Sequence, residues 1–119
     1  MAFRKIDPYY TILALLVIVL VAFQWNSLDM PLYWDEAWVY GPAVRAMDTN
    51  GLSLLPNTIG TELSRGHPLL FHFMAALWTG CFGATNTSLH AFALTLSIAL
   101  LITIFHVGKY LGSPLIGLA

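Results

Sequence analysis

A run of twenty residues without a charge, from Tyr9 to Leu28, constrains this chain more than any other feature of its sequence. A helix rises about 1.5 Å per residue, so the run spans about 30 Å, the thickness of the hydrocarbon layer of a bilayer. Arg4 and Lys5 precede it, and aromatic residues lie near both of its ends, as at membrane surfaces. The run is longer than a signal peptide needs, and no small-residue cleavage site follows. We therefore predict an uncleaved first span, with a signal anchor as the alternative.

Composition supports a membrane setting. Of the 119 residues, 58% are hydrophobic and 9% are charged, whereas soluble domains have about 25% charged residues. A small soluble domain leaves much of its surface in water and cannot hide so much apolar surface. The net charge of -1 argues against a nucleic-acid partner. The single cysteine, Cys81, excludes an internal disulfide, and we interpret it as a small apolar filler in a helix.

Two further apolar stretches follow a polar loop. Residues 68–82 predict a shorter helix that must tilt or thin the bilayer to cross it, and residues 89–107 are again uncharged. The predicted fold is all-α and polytopic, with about three spans and an amphipathic helix in the first extracytoplasmic loop. The predicted spans are 9–28, 68–82 and 89–107, and the loop is 29–67.

The orientation and extent of the chain follow from its two ends. The two basic residues near the start favour an N-terminus in the cytoplasm and the loop outside. Lys109 would then lie on the outer side, against the rule. Because another apolar stretch begins at Pro114, we expect residues 1–119 to be the N-terminal part of a longer transmembrane domain.

The loop holds most of the acidic residues, and its first part places Asp35 and Glu36 among aromatic residues. Asp35 is suited to cap a helix, and Glu36 would favour the positive end of that helix. Alternatively, a carboxylate in an aromatic, partly dehydrated pocket can accept a proton from a hydroxyl. The apolar spacing beyond them predicts an amphipathic helix ended by Asn50-Gly51, with a kink or break at Pro42.

The second part of the loop gathers an acid, a guanidinium and an imidazole just before the next helix. Arg65 can clamp a phosphate, or it can be an interfacial charge that reaches toward water. Glu62 and His67 can bind a metal, but two ligands are too few to favour one. Arg45 faces away from the apolar side, so solvation competes with phosphate binding there. His72 is interpreted as a buried, hydrogen-bonded histidine.

The order of these parts resembles the start of the polytopic GT-C glycosyltransferases, among them the protein O-mannosyltransferases and the lipid A aminoarabinose transferases. The similarity covers nearly the whole chain. It rests on short motifs in order: Tyr33-Trp34-Asp35-Glu36-Ala37, Arg45-Ala46-Met47, Gly66-His67-Pro68-Leu69-Leu70, Ala75-Ala76-Leu77-Trp78 and the tail Gly108–Pro114. The chain departs from the family pattern at Leu69, where a second proline is common, and it lacks an arginine early in the third span.

The resemblance implies a sugar transferase of the bacterial plasma membrane, with the site on the extracytoplasmic face. The donor would be a polyprenyl-phosphate sugar, and the acceptor a hydroxyl of a lipid, glycan or protein. Asp35 would be the base and Glu36 would shape the pocket, whereas Arg65, His67 and Arg45 are the candidate donor-binding residues. Some members hold a divalent cation near this loop, with Glu62 and His67 as the candidate ligands here. Residues 1–119 alone are expected to be inactive.

Two other classes of protein compete with this interpretation. A fragment of a transporter would carry ionisable residues within its spans, along the substrate path. Here the acids lie in the loop instead. In a small, non-enzymatic scaffold or subunit, the same aromatic and acidic residues would serve only packing and helix capping.

Overall fold

The computed structural model describes residues 7–118, and every regular element in that range is a helix. The elements are α1 (Pro8–Gln24), a 3-10 turn (Trp25–Ser27), a π-helical turn (Glu36–Tyr40), α2 (Gly41–Asn50), α3 (Thr61–Ser64), α4 (Leu69–Phe82) and α5 (Asn86–Tyr110). The all-α prediction is therefore confirmed for the described residues. Arg4 and Lys5, on which the predicted orientation depends, lie outside them.

Two helices are long and apolar enough to cross a membrane. With its 3-10 turn α1 covers 20 residues, and α5 covers 25, which correspond to about 30 and 38 Å. Only 6% of the apolar window of α1 and 17% of that of α5 is buried. The core helix of a soluble protein would be mostly buried, which neither of these helices is within the described residues. By contrast, the 14 residues of α4 reach only about 21 Å.

The first structural unit comprises α1, the part of α5 from Ala93 onward and the chain that follows it. At the start of α1, the Asp7 carboxylate accepts a hydrogen bond from the Tyr9 N–H (3.1 Å), which caps the helix. The same carboxylate accepts a bond from Lys109 Nζ (3.0 Å) near the end of α5. Tyr10 packs edge-on against Phe105, with 5.3 Å between the ring centroids. The start of α1 therefore lies beside the end of α5, and the two helices are antiparallel.

The second unit, Leu28–Phe92, is built on α2 and α4, which pack against each other. One face of α2 buries Ala43, Val44 and Met47, and α4 contributes the buried Ala75 and Ala76. Small residues on one helix let the other approach closely. This packing holds α2 against α4. The π-helical turn before α2 and the short helix α3 after it also contact each other.

The predicted loop helix is present, but its start differs from the prediction. Asn50 ends it, and the positive φ of Gly51 (104°) allows the turn that follows, as expected. A kink or break was predicted at Pro42. The helix is not broken there, but its geometry changes beside the proline: the π-helical turn runs directly into α2, and the Gly41 N–H bonds to the Glu36 carbonyl five residues earlier. A π-type turn changes the hydrogen-bond spacing just before proline, so the missing N–H does not interrupt the helix.

Candidate functional site

The Asp35-Glu36 pair lies at the start of the π-helical turn. Trp34 adopts a left-handed conformation (φ 48°), and the N–H groups of Ala37 and Trp38 both bond to its carbonyl (3.0 Å each). A non-glycine residue in this region is strained and persists only when its surroundings hold it there. These hydrogen bonds therefore hold the backbone that carries the two carboxylates in one conformation.

Asp35 and Glu36 have different surroundings, which their adjacency in the sequence does not reveal. Asp35 is exposed, and its side chain makes no capping bond, so the predicted cap was wrong. Oε2 of Glu36 instead accepts a hydrogen bond from the Tyr33 N–H (3.2 Å). The N–H groups that a cap at Asp35 would accept from, those of Ala37 and Trp38, already bond to the Trp34 carbonyl, so the Asp35 carboxylate makes no capping bond.

The aromatic residues around the pair do not enclose it. Tyr33, Trp34 and Trp38 are 77%, 70% and 76% exposed, so the partly dehydrated pocket expected from the sequence is not formed by these three rings. Their exposure leaves Asp35 accessible from outside the unit. In a membrane protein such rings are suited to the boundary between lipid and water.

Two parts of the loop that are distant in sequence meet at Tyr40. Its ring centroid lies 5.7 Å from that of His67, 6.0 Å from that of His72 and 5.4 Å from that of Phe71. The short helix α3 also packs against the π-helical turn and against α2. The two predicted groups of site residues, around Asp35 and around His67, therefore belong to one assembly. Tyr40 lies one turn after Glu36, and that spacing was the signal that could have identified it.

An open cavity of about 510 Å³ adjoins the second group. Apolar residues between Leu54 and Ile59 and between Pro68 and Leu70 line it, and Thr61, Ser64 and His67 supply polar groups. The cavity thus offers an apolar wall with a few polar atoms, the usual composition of a site for an amphipathic ligand.

The two candidate arginines, Arg65 and Arg45, are exposed, and most of their N–H donors are available for a ligand. Arg65 lies in a left-handed turn (φ 47°), and its Nε donates to the Glu62 carbonyl (3.3 Å). That bond uses one of the five N–H donors of the guanidinium and leaves the others for an anion. Arg65 flanks the cavity in sequence without lining it. Arg45 is exposed on α2, and within residues 7–118 neither arginine forms an ion pair.

Glu62 and His67 do not fit a metal centre on their own. Within the described part of the chain, no three side chains of the metal-binding types come together. The Glu62 carboxylate turns back over Gly60, and the His67 ring faces Tyr40. The chemistry that this site supports is therefore that of a free carboxylate, an arginine and an imidazole.

His72 is buried as predicted, and its ring lies near the backbone of Pro68, one turn earlier, without a hydrogen bond of good geometry. It is fully buried, and neither ring nitrogen has a hydrogen-bond partner among the described residues. Its ring instead stacks on Tyr40. His72 thus supports the packing behind the site.

His90, which the sequence did not single out, contacts the acidic pair. Its Nε2 lies 3.4 Å from Glu36 Oε2, and its Nδ1 lies 2.9 Å from the Leu28 carbonyl oxygen. Beside it, Thr87 Oγ1 donates to Asp29 Oδ1 (3.0 Å). The first turns of α5 are therefore tied to the segment that leads into the π-helical turn.

Comparisons with protein-family models, with curated proteins and with solved structures found no match for this chain.

Proposed function

We propose that this chain belongs to a membrane glycosyltransferase that transfers a sugar from a polyprenyl-phosphate donor to a hydroxyl acceptor. The observation that carries the proposal is the contrast within the acidic pair. Glu36 is held by Tyr33 and His90, whereas the Asp35 side chain is exposed and makes no bond to the residues that the structure describes. A free carboxylate on a rigid turn is what a base needs in order to reach an incoming hydroxyl. The resemblance of the motifs to GT-C glycosyltransferases supports the same role.

The proposed reaction is a single displacement at the anomeric carbon. The acceptor oxygen forms a bond to that carbon, and its proton passes to the Asp35 carboxylate. The bond from the anomeric carbon to the phosphate oxygen breaks, and the polyprenyl phosphate leaves with the electron pair. Positive charge near that oxygen stabilises the developing negative charge.

Arg65 and His67 are the groups proposed to hold the phosphate, with Arg45 as a further candidate. The free donors of Arg65 suit a phosphate, which guanidinium groups bind through paired hydrogen bonds. The apolar wall of the neighbouring cavity suits the first isoprene units of the donor, and His67 lies where that wall becomes polar. No step of this reaction needs a metal held by Glu62 and His67.

We further propose that α1 and α5 both cross the membrane and that α4 remains on the side of the loop. Because α1 and α5 are antiparallel, the chain between them leaves and returns at the same end of the pair. A full crossing by α4, at about 21 Å, would require α5 to run parallel to α1. With two crossings, Lys109 and the start of α1 lie on the same side of the membrane, and basic residues on that side favour the cytoplasm for it. The loop and its site then lie on the extracytoplasmic side.

Sugar transfer by membranes that contain the full-length protein tests the activity. Short-chain polyprenyl-phosphate sugars serve as donors, and Asp35→Asn is compared with wild type. We expect a loss of about 10²-fold to 10⁴-fold in turnover, the usual contribution of a general base. Asp48→Asn, the same change at an exposed carboxylate on α2, is the matched control and should keep full activity. Full activity of Asp35→Asn would refute the role of Asp35. Absence of transfer by wild type from every donor would instead favour a transporter or a scaffold.

The topology is tested with the single natural cysteine. Cys81 is exposed near the end of α4, so two crossings place it outside and three crossings place it in the cytoplasm. A membrane-impermeant maleimide applied to intact cells should label wild type. In a Cys81→Ser background, Tyr110→Cys at the end of α5 should be protected until the cells are permeabilised. The reverse labelling pattern would establish three crossings.

A further inference from the structure

His90 contacts both ends of the segment that carries the candidate base. Its Nδ1 faces the Leu28 carbonyl at 2.9 Å, and its Nε2 faces the Glu36 carboxylate at 3.4 Å. These two residues bracket Asp35 and the strained Trp34. His90 therefore closes a short loop of backbone whose conformation the local sequence alone does not favour.

The chemistry of the three groups fixes the direction of each contact. A carbonyl oxygen only accepts, so Nδ1 of His90 carries a proton and donates to Leu28. An ionised carboxylate also only accepts, so Nε2 donates to Glu36 when the ring is protonated. The separation of 3.4 Å is longer than that of a typical N–H···O hydrogen bond. The His90 side chain is 16% exposed and that of Glu36 is 49% exposed, so the contact lies at the surface with the histidine on its buried side.

Glu36 links His90 to the backbone of the turn. The same oxygen that faces His90, Oε2, accepts the Tyr33 N–H (3.2 Å). The Glu36 backbone N–H also donates to the Tyr33 carbonyl (3.0 Å). Asp35 lies between these two residues in the chain, so its direction depends on a carboxylate that His90 holds in place.

We propose that His90 is a positioning residue that orients Asp35 through Glu36. The proposal rests on the proposed function as far as catalysis is concerned, but the contact itself can be tested without activity. His90 does not need to touch the donor or the acceptor. Its effect is to keep the turn in one conformation, so that the base meets the acceptor in the geometry that reaction requires.

Three substitutions separate the two contacts of the ring. In His90→Gln the amide nitrogen reaches the place of Nε2 and can still donate to Glu36. In His90→Asn the amide nitrogen lies near the place of Nδ1 and can still donate to Leu28. His90→Ala removes both contacts. His106→Ala is the matched control, because that histidine is also on α5, and its hydrogen bond among the described residues is to a carbonyl of its own helix, that of Ile102.

Two measurements are made on each variant: kcat and KM for sugar transfer, and the rate of hydrogen exchange of the Tyr33 amide. His90→Ala and His90→Asn should lower kcat by on the order of 10-fold to 100-fold, with KM changed by less than about twofold. The same two variants should exchange the Tyr33 amide faster, because Glu36 no longer holds it. His90→Gln should restore most of both properties, and His106→Ala should resemble wild type.

The outcomes distinguish this proposal from the proposed function. If Tyr33 exchange is unchanged in His90→Ala, or if kcat is unchanged although exchange is faster, the positioning role is refuted. A variant His90→Gln as impaired as His90→Ala would refute the route through Glu36. If exchange responds as expected but wild type transfers no sugar, His90 still orders the turn and the proposed function fails instead.

Discussion

Gly41 offers a sharp test of the turn that carries the acidic pair. A Cβ atom placed on Gly41 would lie 2.7 Å from the Glu36 carbonyl oxygen and 3.0 Å from Leu32 Cδ1. Ordinary contacts of a Cβ atom begin at about 3.4 Å. The leucine side chain can turn away, but the carbonyl belongs to the backbone. Gly41→Ala must therefore displace the π-helical turn.

The expected magnitude follows from two opposing terms. Forcing an extra methyl group into a well-packed site costs about 1–3 kcal/mol. Replacing glycine by alanine in a helix recovers up to about 1 kcal/mol. Gly80 on α4 is the matched control, because a Cβ atom there meets nothing within 4 Å. Gly80→Ala should stabilise the protein slightly, so that the two variants differ by about 1–3 kcal/mol in their free energy of unfolding.

Unfolding of both variants in detergent, compared with wild type, measures this difference. Sugar transfer measured in parallel should fall for Gly41→Ala, because the displaced turn carries Asp35, and should be unchanged for Gly80→Ala. If Gly41→Ala proves as stable as Gly80→Ala, the turn has room for a methyl group, and the close approach of its backbone does not fix the acidic pair.

Two further predictions concern the packing of each unit. Met47 is fully buried between α2 and α4, so Met47→Ala should cost about 2–5 kcal/mol, whereas the exposed Met74 on α4 should tolerate the same change; denaturant unfolding compares them. Bonds from Lys109 and from the Tyr9 N–H lower the pKa of Asp7, so its stabilising effect is complete above about pH 4 and is lost as the pH falls through the lowered value. Thermal unfolding from neutral to acid pH should show that loss in wild type, and a curve of the same shape for Asp7→Asn would contradict it.

The candidate site was only partly accessible from the sequence. The adjacency of Asp35 and Glu36 directed attention to this turn, but it suggested that Asp35 caps the helix. The cap fails because the N–H groups of Ala37 and Trp38 bond to the Trp34 carbonyl instead, which requires the left-handed conformation of Trp34 that the sequence does not indicate. His90 gives no signal in the sequence, since its contact with Glu36 spans 54 residues.

The sequence by itself determined the helices. Uncharged runs define α1 and α5, and Asn50-Gly51 ends α2, because apolar length and turn chemistry act over a few neighbouring residues. The tertiary structure decided which of these helices pack together and in which direction they run. The pairing of Asp7 with Lys109 joins residues 102 positions apart and makes α1 and α5 antiparallel, whereas Tyr40 brings the two halves of the loop together. Such contacts depend on how the chain folds back on itself, which no local pattern encodes.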